Sequence, residues 1–119
     1  METTKVAEVL KGAAELYERF GWTKNQLACD ENGKRCRVKD PQAVAFCALG
    51  AIQRYLIDNK LTETTPSYDY VVKIAETVCR SDRVLSRFND FHCKSKEDAK
   101  EHLIKLSGRS KAQACLSSI

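Results

Sequence analysis

The sequence predicts an α+β protein that is mainly α: four to five helices around one core, with a single β-hairpin laid on it. Three observations lead there. Apolar residues recur at three- and four-residue spacing along most of the chain, the period of an amphipathic helix. One stretch, QLACDENGKRCRV, breaks that period around Asn32-Gly33, a pair that suits a two-residue hairpin turn because both central positions need positive φ. The length of 119 residues, with 43% hydrophobic and 30% charged side chains, suffices for one modest core and not for two. A single domain over 1–119 is expected, with its core at about 4–106 and a C-terminal tail over 107–119.

Taken in order, Val6, Val9, Leu10, Ala13, Leu16, Tyr17 and Phe20 give a first helix over 4–20. It should end near Gly21, with Trp22 turning back onto the apolar face. The type I′ register then sets Asp30 opposite Arg35, Cys29 opposite Cys36 and Leu27 opposite Val38. Side chains alternate faces along a strand, so Leu27, Cys29, Cys36 and Val38 face the core and Asp30, Arg35 and Arg37 face outward. Asp40-Pro41 reads as N-cap and first turn of a second, central helix running to Asp58 or Asn59. Thr65-Pro66 starts a third, with Val71, Ile74, Ala75 and Val78 inward. Ser81 caps a short helix carrying Val84, Leu85 and Phe88 inward. Phe88–Ser95 reads as a connection. Ser95 and Asp98 form a capping box for a last helix, with Ala99, Leu103 and Leu106 inward and its stop at Gly108.

Net charge is +4 and the pI about 8.8, with the excess split evenly between residues 1–60 and 61–119. A nucleic-acid binder concentrates its basic residues on one face, so this balance argues little for that class. The start, METTKVAEVLKG, has no apolar run of the kind a secretory leader carries, and no stretch reaches bilayer length. The six cysteines are therefore expected to be reduced thiols of a cytoplasmic protein. No phosphate-binding loop, dinucleotide glycine pattern or diagnostic pair of carboxylates occurs, and no cofactor is expected.

Gly21-Trp22, the segment Phe46-Cys47-Ala48-Leu49-Gly50-Ala51 and the later Phe88-Asn89-Asp90 stand in a consistent order over roughly residues 6–106. That order resembles a family of small bacterial and phage proteins catalogued as a domain of unknown function, with a Gly-Trp, a Cys-x-x-Gly-Ala helix and an aromatic-Asn-Asp loop. The chain departs from the pattern in having Phe88 in place of Trp, and Phe91-His92-Cys93 in place of small or turn-forming residues. The resemblance implies a fold and no activity.

Each chemical candidate has a structural competitor. Cys47 could act as a nucleophile, paired with His92 and oriented by Asn89 or Asp90. Ala43, Cys47 and Gly50, however, line one helix face with small side chains, as a close-packing seam does. Cys47 would also lie two turns into its helix, beyond the reach of the N-terminal dipole. Cys29, Cys36, His92 and Cys93 are zinc-type donors. Their six-residue hairpin spacing is not that of a zinc knuckle, and adjacent His92 and Cys93 rarely share an ion. Lys34, Arg35, Arg37 and Lys39 make a basic hairpin that could enter a nucleic-acid groove. Pairing across the strands, such as Asp30 with Arg35, explains those charges more simply, and no aromatic residues interleave with them.

The expectation is a small cytoplasmic accessory or inhibitor protein, phage-related, that acts by binding another macromolecule, a protein before a nucleic acid. Its contact surfaces are the charged face of the hairpin and the Phe88–Cys93 segment, with Asn89, Asp90, Phe91 and His92. A thiol enzyme using Cys47 with His92 and a nucleic-acid-binding module through the basic hairpin are the alternatives.

Overall fold

Apolar spacing in the first segment produces helix α1, Thr3–Leu16, which buries Val6, Val9, Leu10, Ala13 and Leu16 along one face. Residues 3–59, 74 and 82–117 are described in this computed structural model. Tight turns follow α1: Tyr17, Glu18 and Arg19 each donate to the carbonyl three residues back. The chain then enters strand β1, Gly21–Trp22. Tyr17 is fully buried and donates its hydroxyl to the Phe46 carbonyl at 3.0 Å, fixing the end of α1 to the strand beneath it.

The hairpin forms with a different turn. Gly33 donates to Asp30 O at 2.9 Å and has φ +78°, whereas Asn32 is not in the left-handed region. Asp30 donates in turn to Lys34 O, which makes a type I turn with a glycine bulge. The Asp30 carboxylate holds this turn by accepting from the Asn32 and Lys34 amides at 2.9 and 3.0 Å. The bulge moves the register by one residue, so Cys29 lies opposite Arg35 and not Cys36. The expected Asp30–Arg35 pair is likewise not made, since Arg35 donates to Asn25 O.

The larger correction concerns the second helix. Its expected first turns, after Asp40-Pro41, are a turn capped by Asp40, followed by strand β3, Ala45–Phe46. With β2, Ala28–Cys29, this gives a mixed sheet in the order β1-β3-β2, parallel between β1 and β3 and antiparallel between β2 and β3. Alanine favours helix, but here tertiary hydrogen bonds override that preference. Val44 O accepts from Gly21, Phe46 O accepts from Thr23, and the Cys29 and Leu27 carbonyls accept from Val44 and Cys47. Phe46, between the two neighbouring strands, is fully buried and meets the Phe20 ring edge-on at 5.2 Å.

Helix α2, Ala48–Asp58, therefore starts with Cys47 as its N-cap. It buries Ala48, Leu49, Gly50, Ala51, Ile52 and Leu56 in the middle of the core. Arg54 ties the 38–40 segment onto it, donating to Val38 O at 2.8 Å and Asp40 O at 3.1 Å while pairing with Asp58. The expected third helix and its Ser81-capped successor's start lie outside the described residues, apart from Ile74, which is buried.

Helix α3, Asp82–Arg87, runs directly into a π-helical turn, Phe88–His92, where a connection was expected. Of the side chains assigned inward there, Leu85 is buried while Val84 and Phe88 are exposed. Helix α4, Lys96–Ser117, opens on the expected cap: Ser95 Oγ accepts from the Asp98 amide and the Asp98 carboxylate from the Lys94 amide. It does not stop at Gly108, which stands in open space with nothing that demands a left-handed backbone. Its buried Ala99, Leu103 and Leu106 pack on α1, the most extensive contact between the described elements, and α1 packs in turn on α2. The protein is α+β and mainly α, with a small mixed sheet where a lone hairpin was expected.

Candidate functional site

The three ordered motifs meet at one side chain, Asn89. The i→i+5 bond from the Cys93 amide to Phe88 O, 3.0 Å, closes the π-turn and accommodates one residue more than an α-turn would. That extra residue lets Asn89 point fully inward, 1% exposed. Its Oδ1 accepts from Trp22 Nε1 at 2.8 Å and from the Ala48 amide at 3.0 Å. Its Nδ2 donates to Thr23 O at 3.2 Å and to Asp90 Oδ1 at 3.0 Å. Two N–H donors on one side and two oxygen acceptors on the other fix which end of the amide is which.

The Ala48 amide is one of the orphan donors at the start of α2. Cys47 Sγ accepts from another, Gly50 N, at 3.4 Å. The helix is thus capped once by its own N-cap and once from a distant segment. Gly50 has to be glycine, because a Cβ there would run into the Leu27 carbonyl. The small-residue seam expected around Cys47 and Gly50 is real at Gly50. The backbone that approaches it belongs to the hairpin, and Ala43 lies outside the helix.

Asp90 extends the node to the surface. Its Oδ1 also accepts from the Asn25 amide at 3.0 Å, and Asn25, with φ 66°, is the non-glycine residue in the left-handed region among those described. Asparagine tolerates that conformation better than most side chains. Arg35 reaches the same loop, donating to Asn25 O at 3.3 Å, and Gln26 bridges Thr23 to the Gly33 carbonyl. Hairpin, Thr23–Gln26 loop and π-turn consequently form one continuous surface.

On that surface Phe91 is 77% exposed, the most exposed large apolar side chain of those described. Val84 and Phe88, in α3 and at the start of the π-turn, are exposed at 44% and 37%. Both histidines of the chain flank Phe88: His92 at 5.2 Å between ring centroids, and His102 stacked on it at 3.7 Å.

The other sequence candidates separate. Lys34 and Arg35 belong to this surface through the hairpin turn. Arg37 and Lys39 instead rim a groove of about 260 Å³ floored by Leu27, Cys36, Val38 and Ile57. Cys47 sits at a helix N-terminus after all, a position that favours thiolate. Burial wins: against the lowering by the Gly50 and Leu49 amides, and with a smaller push from Asp90, it takes the thiol up to about 11. His92 is exposed and lies against Phe88, whereas Cys47 is buried. Cys93 is buried, its thiol likewise raised to about 11 by burial and then by Asp98. Tyr17, whose hydroxyl is held well above its usual range by burial, lies near both thiols. The four zinc-type donors are thus distributed between hairpin, core and surface. Among the described residues no cluster of three or more His, Cys, Asp or Glu side chains could hold a metal ion, and Cys29, Cys36, Cys47 and Cys93 are unbridged.

Sequence reasoning missed Trp22 as a hydrogen-bond donor and the amide of Ala48 as a target. A buried Asn beside a tryptophan motif was the available signal, because an indole N–H that is partly buried requires an acceptor.

Neither the curated proteins nor the solved structures include a match to this chain. A family model does match it, over residues 1–105, which takes in α1, the sheet, α2, the π-turn and the first turns of α4. The chain belongs to the Family of unknown function (DUF6197).

Proposed function

We propose that the protein is a small cytoplasmic accessory or inhibitor protein that binds another protein through its π-turn, with Phe91 as the anchor. The observation that carries this reading is the exposure of Phe91 on a turn whose conformation is fixed from inside by Asn89. Burying a phenyl ring is worth about 2 kcal/mol, which the isolated chain forgoes here. A rigidly held aromatic loses little conformational freedom on docking, and such side chains dominate the energetics of protein interfaces. Val84 and Phe88 are further exposed apolar side chains of the same segment. The raised Cys47 thiol and the exposed position of His92 give the thiol-enzyme reading no comparable support. Among the described residues the four cysteines are unbridged, which agrees with a reducing compartment.

The test is co-purification from host lysate after nuclease treatment, with wild-type protein, Phe91→Ser and Arg37→Glu side by side. A stoichiometric protein retained by wild type and by Arg37→Glu but lost with Phe91→Ser is the expected outcome. Equal retention by Phe91→Ser would remove the π-turn from the interface.

A further inference from the structure

We infer that Asn32 is a hydrolytic modification site in the hairpin turn, deamidated by water through its own backbone at a rate that Asp30 sets. Asn32 and Gly33 are both exposed. Of the four asparagines in the chain, Asn25, Asn32, Asn59 and Asn89, Asn32 is the one followed by glycine. A Cβ at Gly33 would meet nothing within 4 Å, so neither a side chain nor a neighbouring element shields the bond between the two residues.

The chemistry needs only these two residues and solvent. The Gly33 amide nitrogen attacks Asn32 Cγ and closes a succinimide ring. The side-chain nitrogen leaves as ammonia, taking the proton that Gly33 gives up. Water then adds at either ring carbonyl. Opening on one side leaves aspartate, and opening on the other leaves isoaspartate, whose main chain runs through the former side chain. Either product exchanges a neutral amide for a carboxylate beside Lys34 and Arg35, and lowers the net charge of +4 by one. Isoaspartate also lengthens the backbone of the bulged turn that sets Cys29 opposite Arg35.

The fold restrains the first step. Gly33 N, the attacking atom, donates its proton to Asp30 O at 2.9 Å. The Asp30 carboxylate accepts from the Asn32 and Lys34 amides on either side, at 2.9 and 3.0 Å. Gln26 donates to the Gly33 carbonyl at 3.4 Å. In a type I turn the second central residue, which is Asn32, has ψ of about 0°. That angle eclipses the Gly33 nitrogen with the nitrogen of Asn32 and turns it away from the Cβ–Cγ arm. Ring closure requires the opposite, a nitrogen nearly coplanar with that arm. Asn32 is reactive by its neighbour and its exposure, and Asp30 latches it in an unreactive conformation that local opening releases.

The full chain is incubated at physiological pH and temperature, native and in urea, and conversion at each asparagine is read by peptide mapping with mass spectrometry. In the native wild type Asn32 should convert ahead of Asn25, Asn59 and Asn89. It should do so about tenfold more slowly than in the unfolded chain, the factor that about 1.4 kcal/mol of turn hydrogen bonding confers. Asp30→Ala should raise the native rate by about tenfold, with Asn59 unchanged and the circular dichroism of the fold retained. Asp30→Asn removes the charge but keeps an oxygen acceptor, and should stay close to wild type.

Conversion at Asn25 or Asn59 ahead of Asn32, or none at Asn32 in the native chain, would overturn the site. Equal rates in the native and unfolded chains would overturn the latch, and that comparison needs no variant. Acceleration by Asp30→Asn as large as that by Asp30→Ala would assign the effect to the carboxylate's charge, which also overturns the latch.

Discussion

Asn89 joins three segments that lie far apart in sequence. Four hydrogen bonds converge on a residue that is 1% exposed, and two of them satisfy donors belonging to segments far away in sequence. Asn89→Leu would strand the Ala48 amide, the Trp22 indole and the Thr23 carbonyl. A loss of about 3 kcal/mol or more in the unfolding free energy from a urea titration is expected. Asn89→Asp keeps the acceptor but sets a second carboxylate beside Asp90, and its cost should also be substantial. The buried thiols make a separate prediction about pH. Cys47 and Cys93 keep their protons to about 11 in the folded protein, against about 8.5 in the unfolded chain. Between those values the unfolded chain has released protons that the folded one retains, so stability is fully present below about 8.5 and falls as pH rises through the window. The buried Tyr17 hydroxyl adds to the decline above about 10. Cys47→Ser keeps a cap for α2 and removes one of these groups. Unfolding measured at several alkaline pH values should show a shallower decline in that variant.

Glycines show how differently the same residue serves two helices. In α2, Gly50 lies where the Leu27 carbonyl crosses the helix, so a methyl group there collides with backbone that cannot yield without moving the hairpin. Gly50→Ala should cost about 3 kcal/mol or more. In α4, Gly108 faces open space with helical backbone on either side, and Gly108→Ala should raise stability by about 0.5–1 kcal/mol. Thermal unfolding of the two variants beside wild type reads both signs at once. The same contrast explains what the sequence disclosed about these elements. A helix C-terminal glycine and an alanine-rich helix are local signals, and both misled: α4 continues past Gly108, and the segment before Cys47 is a strand. The strand exists because β1 and β2 offer carbonyls and amides on both sides of Ala45–Phe46, a condition that no local window of sequence contains. The capping box at Ser95 and the apolar face of α1 depend only on near neighbours, and the structure has both.

Over the whole molecule, class and core were legible in the sequence because burial follows apolar periodicity. Val6, Leu10, Ile74, Leu103 and Leu106 are all buried as their spacing predicts. The candidate surface was legible in part. Phe91 and His92 stood out as an aromatic pair in an expected connection, and both are exposed on the π-turn. What spacing could not convey is that Gly21-Trp22, the start of α2 and Phe88-Asn89-Asp90 are one assembly, joined through a single amide. Nor could it split the basic hairpin, whose Arg35 reaches the Thr23–Gln26 loop while Arg37 and Lys39 rim a different groove. The molecule thus uses a buried polar node to hold an exposed aromatic in place, and the node and the aromatic should separate experimentally. The most direct test purifies the partner retained by wild type and measures its affinity for Phe91→Ser and for Asn89→Ala, beside the unfolding midpoint of each. Phe91→Ser is predicted to lose binding by at least about thirtyfold with its midpoint unchanged, and Asn89→Ala to lose both binding and stability. Full affinity in Phe91→Ser at an unchanged midpoint would contradict the account.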